Sequence, residues 1–177
     1  FIRMPAGNGF VFGNPKLDWG YQSEPQPSLN GRSIYFARGK ALGGSSIVNG
    51  MIYMRGVAVD YEQWRQIGLK GWGYADVLPY FKRAEGSRDR RDDWHGVDGP
   101  LKVEPSVNYG TLDKAFISAA KAAGHRELDD FNGAHRTGVA RTDSTVSRGV
   151  RQSAAIAYLK RPPSNLTILT GRQIARL

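Results

Sequence analysis

The chain has 177 residues, no cysteine, and 25 lysine and arginine residues against 16 acidic ones, which gives a formal net charge of +9. This length allows a real hydrophobic core, and the lack of cysteine excludes disulfides, thiolate nucleophiles and cysteine-based zinc sites. No apolar run approaches the roughly 20 residues that cross a bilayer, and the first residues lack the pattern of a signal peptide. We expect a cytoplasmic protein without a transmembrane segment, for which peripheral membrane association stays open.

The positive charge has two interpretations. One is an anionic partner, such as nucleic acid or a phosphate-bearing cofactor; the other is an excess left when the chain is separated from more acidic parts of the same protein. The basic residues are scattered, and the densest run, residues 88–93, neutralises itself with three arginines and three aspartates. Because no basic helix or basic patch interleaved with aromatics is present, the second interpretation is favoured and no nucleic-acid partner is expected.

The hydrophobic pattern predicts an α+β chain. Residues 1–30 are rich in Gly, Pro, Asn and Ser, which is typical of irregular structure, and a short strand follows over residues 33–37. Asp60 is expected to cap the first helix, and residues 86–100 are predicted to form a surface loop. Apolar spacing predicts helices over residues 57–68, 75–84, 111–123 and 153–160 and strands over residues 101–104, 139–146 and 166–170, with residues 173–177 as a hairpin partner of the last strand.

Aromatic residues concentrate in the first two predicted helices and between them. Trp64, Trp72, Tyr80 and Phe81 are interpreted as core or helix-packing residues rather than cofactor contacts.

The stretch 38–56 carries the chemistry of the chain. Paired glycines at 43 and 44 allow unusual dihedrals and a close approach of the backbone to a ligand. Serine at 45 or 46 can cap the next turn and leave N–H groups aimed at an anion, and two cationic side chains precede them. These features suit a phosphate or pyrophosphate, and they equally suit a plain tight turn. Neither a Walker-type phosphate loop nor a G-x-G-x-x-G fingerprint is present.

The exact sequence of this stretch is more informative than its local chemistry. It reads Gly39-Lys40-Ala41-Leu42-Gly43-Gly44-Ser45-Ser46-Ile47-Val48-Asn49 and closely resembles the first signature of the glucose–methanol–choline (GMC) oxidoreductases. Further matches follow the family's order over nearly the whole chain: residues 18–21, 24–26, 60–64, 71–74, 78–81, 95–101, 130–133, 151–154 and 165–167.

The resemblance implies FAD as the cofactor. The backbone around residues 42–45 would lie along the FAD pyrophosphate, residues 49–52 would approach the isoalloxazine ring, and residue 174 would meet the adenine. The implied cofactor-binding residues are Arg38, Lys40, Leu42, Gly43, Gly44, Ser45, Asn49, Gly50, Met51, Ile52 and Ile174. Some relatives link FAD covalently through a histidine in the signature region, and because this chain has none there, we expect non-covalent binding.

The resemblance also implies that the chain is an incomplete domain, an internal part of the family's α/β FAD-binding fold. Residues 1–37 would be a lid and lead-in segment, 38–56 the flavin-binding signature, 57–164 a helical and loop excursion, and 165–177 returning strands. The family's dinucleotide fingerprint lies before this region and its catalytic histidine lies after it. No catalytic residue and no metal ligand is therefore assigned within the chain, and its three histidines, His95, His125 and His135, are interpreted as surface or structural residues.

The family's activity is the oxidation of small alcohols, with hydride passing from the CH–OH carbon to flavin N5. The spelling at residues 49–51 and 53–56 is similar to choline dehydrogenase-like members. The chain would bind FAD together with the remaining segments of the same enzyme and would be inactive alone. The alternative is a non-catalytic binding module, truncated or degenerate, that keeps the sequence and has lost the chemistry.

Overall fold

A computed structural model describes residues 1–107, 109–174 and 176 of the chain. Helices and strands are mixed, as the predicted fold class requires. The α-helices are α1 (Ala58–Gln66), α2 (Tyr74–Ala84), α3 (Thr111–Ala122) and α4 (Ala154–Tyr158). The strands are β1 (Tyr21–Gln22), β2 (Tyr35–Phe36), β3 (Glu85–Ser87), β4 (Leu101–Pro105), β5 (Asp143–Ser144), β6 (Val146–Ser147) and β7 (Val150–Arg151). Within these ranges no helix is long and apolar enough to cross a membrane.

The N-terminal stretch is irregular, as predicted. It contains short 3-10 turns at Pro5–Phe10 and Pro27–Leu29, and its one strand, β1, pairs antiparallel with β2. Val11 is 1% exposed and packs with Ile47 and Val48 of the signature in a small hydrophobic core. The first residues of the chain therefore pack against the signature, residues 38–56.

The start of α1 differs from the prediction. Val57 occupies the cap position, and Asp60 lies at the third helical position, where its carboxylate accepts the Val57 N–H at 2.8 Å. The prediction of Asp60 as the N-cap is wrong, because the helix begins three residues earlier than the aspartate suggests. The carboxylate still stabilises the first turn, since acidic groups complement the positive end of the helix dipole.

Helices α1 and α2 pack through aromatic side chains. The Tyr61 ring meets Trp64 and Phe81 edge to face, with centroids 5.4 and 5.7 Å apart, and Trp64 meets Trp72 at 5.6 Å. This confirms helix packing for three of the four predicted aromatics. Tyr80 is 67% exposed and therefore lies outside the core, in the same apolar surface groove as Trp64, Trp72 and Phe81.

The largest sheet has the order β3-β4-β5, with β3 parallel to β4 and β5 antiparallel to it. Strand β4 is confirmed, whereas the predicted surface loop 86–100 is wrong at its start, because β3 is fully buried there. The backbone of Gly99 lies so close to β3 that position 86 must be glycine: a Cβ on Gly86 would collide with the carbonyl oxygen of Gly99. Glycine, which suggests a loop in sequence, is required here by backbone packing.

The predicted strand 139–146 is divided. Strands β5 and β6 are separated at Thr145, whose N–H donates to the Met51 carbonyl at 2.7 Å and whose own carbonyl accepts from Gln152. Strand β6 then forms a hairpin with β7 through Arg148 and Gly149, both at positive φ. This is the geometry of a tight hairpin turn that favours glycine.

The predicted last strand does not form. Residues 166–170 pair with no strand in the described part of the chain, and their side chains are exposed, Leu169 by 74%. The prediction rested on β-branched and aliphatic residues, but a strand exists only where a neighbouring strand accepts its hydrogen bonds. Its predicted hairpin partner, 173–177, includes residues 175 and 177, which lie outside the described residues. Helix α4 also ends at Tyr158, short of the predicted residue 160.

Candidate functional site

The lead-in to the signature is organised around one buried carboxylate. Asp18 is 3% exposed, and its oxygens accept the backbone N–H groups of Gly13, Gly20 and Arg38 at 2.9 to 3.0 Å, together with the Tyr35 hydroxyl. The hydroxyl, followed by the backbone N–H groups, holds the pKa of Asp18 far below its usual range. A permanently ionised aspartate thus fixes the backbone where the signature begins.

Three glycines shape the first half of the signature. Gly43 and Gly44 adopt φ of 98° and 53°, a region open mainly to glycine, and a 3-10 turn, Gly44–Ile47, follows. Gly39 lies so close to this turn that a Cβ would collide with the Gly44 carbonyl oxygen. The loop is therefore folded tightly onto itself.

Of the two candidate capping serines, Ser46 makes the contacts. Its hydroxyl donates to the Gly43 carbonyl at 2.5 Å and accepts the Ala154 N–H at the start of α4 at 2.8 Å. Ser45 remains exposed. Among the described residues, no acceptor lies within hydrogen-bond range of the backbone N–H groups of Leu42, Gly43 and Ser45. Three donors within four residues thus have no acceptor in the described part of the chain.

Two of the open donors, those of Leu42 and Gly43, belong to residues that line a cleft of about 590 Å³. Its walls come from two segments distant in sequence, residues 39–43 and residues 169–173, with Trp19 at one side. Lys40 and Arg172 add two cations, and Lys40 Nζ lies 4.7 Å from the Trp19 ring centroid. Ile174, the predicted adenine contact, directly follows this wall and is 72% exposed.

Of the predicted cofactor-binding residues, Lys40, Leu42 and Gly43 line the cleft, and Arg38 is among those that do not. Its guanidinium donates to the neighbouring Ala37 carbonyl at 2.8 Å and lies over the Phe36 ring. The role of its backbone N–H, bound to Asp18, is structural.

A second buried charge supports the other half of the signature. Arg151 is 1% exposed, and Nη1 donates to the Ser46 carbonyl at 3.2 Å and to both the carbonyl and the side-chain oxygen of Asn49 at 2.8 Å. No carboxylate within the described residues forms an ion pair with it, and burial lowers the pKa of Arg151. The signature thus packs against a buried cation whose hydrogen-bond acceptors in it are neutral oxygens.

The residues after Asn49 are fixed through their backbone. Met51 has φ of 63°, unusual for a residue with a side chain, and its carbonyl accepts from the N–H of Thr145 at 2.7 Å. Ile52 forms an isolated bridge with Ser144 and is 61% exposed, and Gly50 is exposed beside it. The predicted ring-contacting residues are therefore exposed or half-exposed, and their backbone is anchored to residues 144 and 145.

The end of the signature is held by a buried ion pair that sequence reasoning missed. Arg55 and Glu85 form it with side chains 2% and 0% exposed, and Arg55 also donates to the Trp94 carbonyl at 2.7 Å. Burial raises the pKa of Glu85, although Arg55 opposes this shift. One sequence signal could have identified Arg55 and Arg151 as supports of the signature: both lie in stretches that match the family's sequence motifs.

The three histidines lie away from the cleft. The His95 side chain is completely buried, with Nδ1 2.7 Å from Asp92 and Nε2 3.5 Å from Asp130. Burial alone would lower the pKa of His95, but the carboxylates of Asp130 and Asp92 outweigh it and raise the pKa. His125 and His135 are exposed. Across the described ranges, no group of three or more His, Asp or Glu side chains is arranged to hold a metal.

Comparison with known proteins decides the family. The GMC oxidoreductase family model matches residues 20–177 of the chain. The chain belongs to the GMC oxidoreductases.

Among its relatives, the chain is 50% identical over 160 residues to an oxygen-dependent choline dehydrogenase of Sinorhizobium fredii, covering 90% of this chain and 29% of that protein. The corresponding enzyme of Sinorhizobium medicae is 46% identical over 178 residues, 98% of this chain and 32% of that protein. The chain thus spans about a third of the length of the curated relatives it matches.

Solved structures give the same fold. Pyridoxine 4-oxidase from Mesorbium loti superposes with a TM-score of 0.84 at 33% identity, covering 90% of this chain and 32% of that one. A formate oxidase superposes with a TM-score of 0.78 over 91% of this chain and 30% of that one. At 22% identity, the latter supports the fold alone.

GMC membership makes the cleft a candidate FAD site, and its chemistry fits. A dinucleotide requires donors for its pyrophosphate, a cationic environment and apolar surface for its rings. The cleft offers the open N–H groups of residues 42 and 43, the cations Lys40 and Arg172, and the exposed aromatic side chain of Trp19.

Proposed function

We propose that the chain binds FAD without a covalent link, in the cleft between residues 39–43 and 169–173. The observation that carries the proposal is the meeting of two unpaired backbone N–H groups, those of Leu42 and Gly43, with two cations at that cleft. The pyrophosphate would lie along residues 42–45, the isoalloxazine ring over residues 49–52, and the adenine near Ile174. No histidine lies in the signature, which supports the non-covalent attachment.

The reaction that fits this site is the oxidation of a small alcohol. The flavin supplies the N5 atom that accepts a hydride from the CH–OH carbon. Residues of this chain would orient the ring. The Asn49 side-chain amide and the Gly50 backbone N–H, which has no acceptor among the described residues, would present donors where negative charge grows during reduction. Preorganised donors of this kind are effective because they need no rearrangement. Choline is the first substrate to test, because named choline dehydrogenases are among the relatives.

The proton of the alcohol must be taken by a group outside the described part of the chain. His95 has no free path to the cleft because its ring is completely buried between Asp92 and Asp130. We therefore propose that the remaining segments of the same enzyme supply the base and complete the flavin site, and that this chain alone is inactive. The division into a lid and lead-in segment (1–37), a signature (38–56), an excursion (57–164) and returning strands (165–177) stays a prediction, as does the cytoplasmic location.

Anaerobic reduction of the full-length protein tests the activity. We expect choline or another small primary alcohol to bleach the visible flavin band, and acid precipitation to leave the flavin in the supernatant. Flavin that stays with the precipitate contradicts non-covalent binding. A protein that holds flavin but is not bleached by any small alcohol supports the second candidate, a non-catalytic binding module.

A further inference from the structure

The Asn49 side chain has a defined orientation. Its Oδ1 accepts hydrogen bonds from Arg151 Nη1 at 2.8 Å and from the Met51 backbone N–H at 3.2 Å. A guanidinium and a backbone N–H are donors only, so the amide oxygen must face them. Its Nδ2 group is turned the other way, where no described residue accepts from it, and Asn49 is exposed.

Arg151 is itself held from several directions. Nε donates to the Ile2 carbonyl at 3.0 Å, Nη2 donates to the side-chain oxygen of Asn8, and Nη1 also reaches the Ser46 carbonyl. With 1% exposure, the guanidinium has no room to rotate. The buried Arg151 guanidinium thus fixes the orientation of the Asn49 side chain.

We propose that Arg151 is a positioning residue that locks the Asn49 amide with its N–H donors, rather than its oxygen, facing the flavin ring. This inference rests on the proposed FAD site. A reduced flavin is more negative than an oxidised one, so an N–H donor beside the ring stabilises the reduced form. A rotated amide would present its oxygen and favour the oxidised form. The identity of residue 151 would therefore set the reduction potential through residue 49.

The test is the two-electron midpoint potential of FAD in the full-length protein. Arg151→Lys keeps the charge but cannot reproduce the planar fork that binds several oxygens at once. We expect about a tenfold fall in the equilibrium constant for reduction, the size of one hydrogen bond to a charged group, which is about 30 mV more negative. The matched control is Arg3→Lys, because Arg3 is exposed on the segment that Arg151 contacts; its potential should equal that of the wild type.

A double-mutant cycle separates positioning from a direct effect of charge. In an Asn49→Ala background, Arg151→Lys should cause no further shift, because the group that it orients is gone. An equal shift in both backgrounds overturns the proposal, since Arg151 would then act without Asn49. An unchanged potential in the single variant Arg151→Lys overturns it as well.

A second pair of variants tests the proposal if Arg151→Lys does not fold. Asn49→Asp has the same shape, and one oxygen would stay on Arg151 while the other replaces the outward N–H group. Its potential should be more negative than that of Asn49→Ala; equal potentials contradict a locked side chain. Failure of the proposed function is distinct from these outcomes, because wild-type protein without flavin would give no potential to measure.

Discussion

The signature and the segment that follows α4 line the same cleft, yet they are supported very differently. Residues 38–56 are fixed by Asp18 at their start, Arg151 in their middle and Arg55 near their end, each buried to at least 93%. In residues 165–174, the structure describes one backbone N–H with an intrachain acceptor, from Leu166 to the Pro163 carbonyl at 3.0 Å.

The difference shows where order in this part of the fold originates. An exposed ligand-binding loop becomes rigid when buried charged groups beneath it accept or donate hydrogen bonds over long sequence distances, because each such group must stay paired. A segment with good strand composition has no such requirement and needs a neighbouring strand. We expect the second segment to gain its partners from the rest of the enzyme.

The largest expected effect is loss of the ion pair at the end of the signature. Arg55→Met leaves Glu85 buried without its partner, and breaking such a pair costs about 3–5 kcal/mol. The free energy of unfolding, measured with urea in the full-length protein, should fall by that amount. Because burial already raises the pKa of Glu85, the loss should be smaller at low pH, where the carboxyl is neutral.

Two controls sharpen this result. Adding Glu85→Gln to the variant should recover part of the loss, since the unpaired charge is removed. Arg172→Met, in the weakly supported segment, should change stability by less than about 0.5 kcal/mol. Equal losses for the variants Arg55→Met and Arg172→Met would contradict the contrast between the two segments.

Glycine substitutions give the next largest effect. Gly39→Ala places a Cβ against the Gly44 carbonyl oxygen, and forcing a side chain into such a space costs about 1–3 kcal/mol. It should also weaken FAD binding, because the turn that presents the open N–H groups must move. Gly171→Ala meets nothing within 4 Å but keeps φ of 65°, so about 1–2 kcal/mol is expected. Unfolding and FAD titration of both variants check this order.

Lys40 tests the cleft itself with a smaller effect. Lys40→Met removes an exposed cation, so the loss in FAD affinity should be at most about fivefold, equivalent to about 1 kcal/mol. Thermal stability should be unchanged. Lys70→Met, which removes an exposed cation outside the cleft, serves as the control; an equal loss of affinity there would show that overall charge, and not the cleft, attracts FAD.

The smallest effect concerns pH. The pKa of His95 is raised in the folded protein by Asp130 and Asp92, despite burial, so its contribution to stability is present below its unfolded pKa of about 6.5 and is lost as pH rises through the folded value. The pKa of Asp130 is lowered to about 2 by His95, its backbone contacts and Arg90, against the effect of burial. Its contribution is therefore lost only as pH falls from about 4 towards 2.

The measurement for this last prediction is the thermal midpoint between pH 6 and 9. Wild-type protein should lose stability across this range relative to His95→Gln, whose side chain does not titrate. Parallel curves for the two proteins would contradict a raised pKa of His95 in the folded protein.

Much of the architecture could be predicted from local sequence. The four helices follow from apolar spacing and β4 from its alternation, whereas neither Ser45 nor Ser46 caps the turn after the paired glycines as predicted, because the Ser46 hydroxyl donates back to the Gly43 carbonyl. The burial of β3 could not be predicted, because Gly86 suggests a loop unless its contact with Gly99 is known. The supports of the signature were also missed, since Arg55 and Asn132 meet across 77 positions and Arg151 and Ile2 across 149.

The site was predictable in a different way. The local chemistry of residues 43–46 left a phosphate site and a plain turn equally open. Only the match to the family's signature sequence implied FAD. The structure then showed which of the implied residues share one cleft: residues 40, 42 and 43 line it, whereas the Arg38 side chain does not.

The central claim is that this signature holds FAD in the cleft. The visible absorption spectrum of the purified full-length protein tests it most directly, with Gly39→Ala beside the wild type. The account predicts a flavin band in the wild type and a weaker one, or none, in the variant. A colourless wild-type protein that gains no band when FAD is added would contradict it.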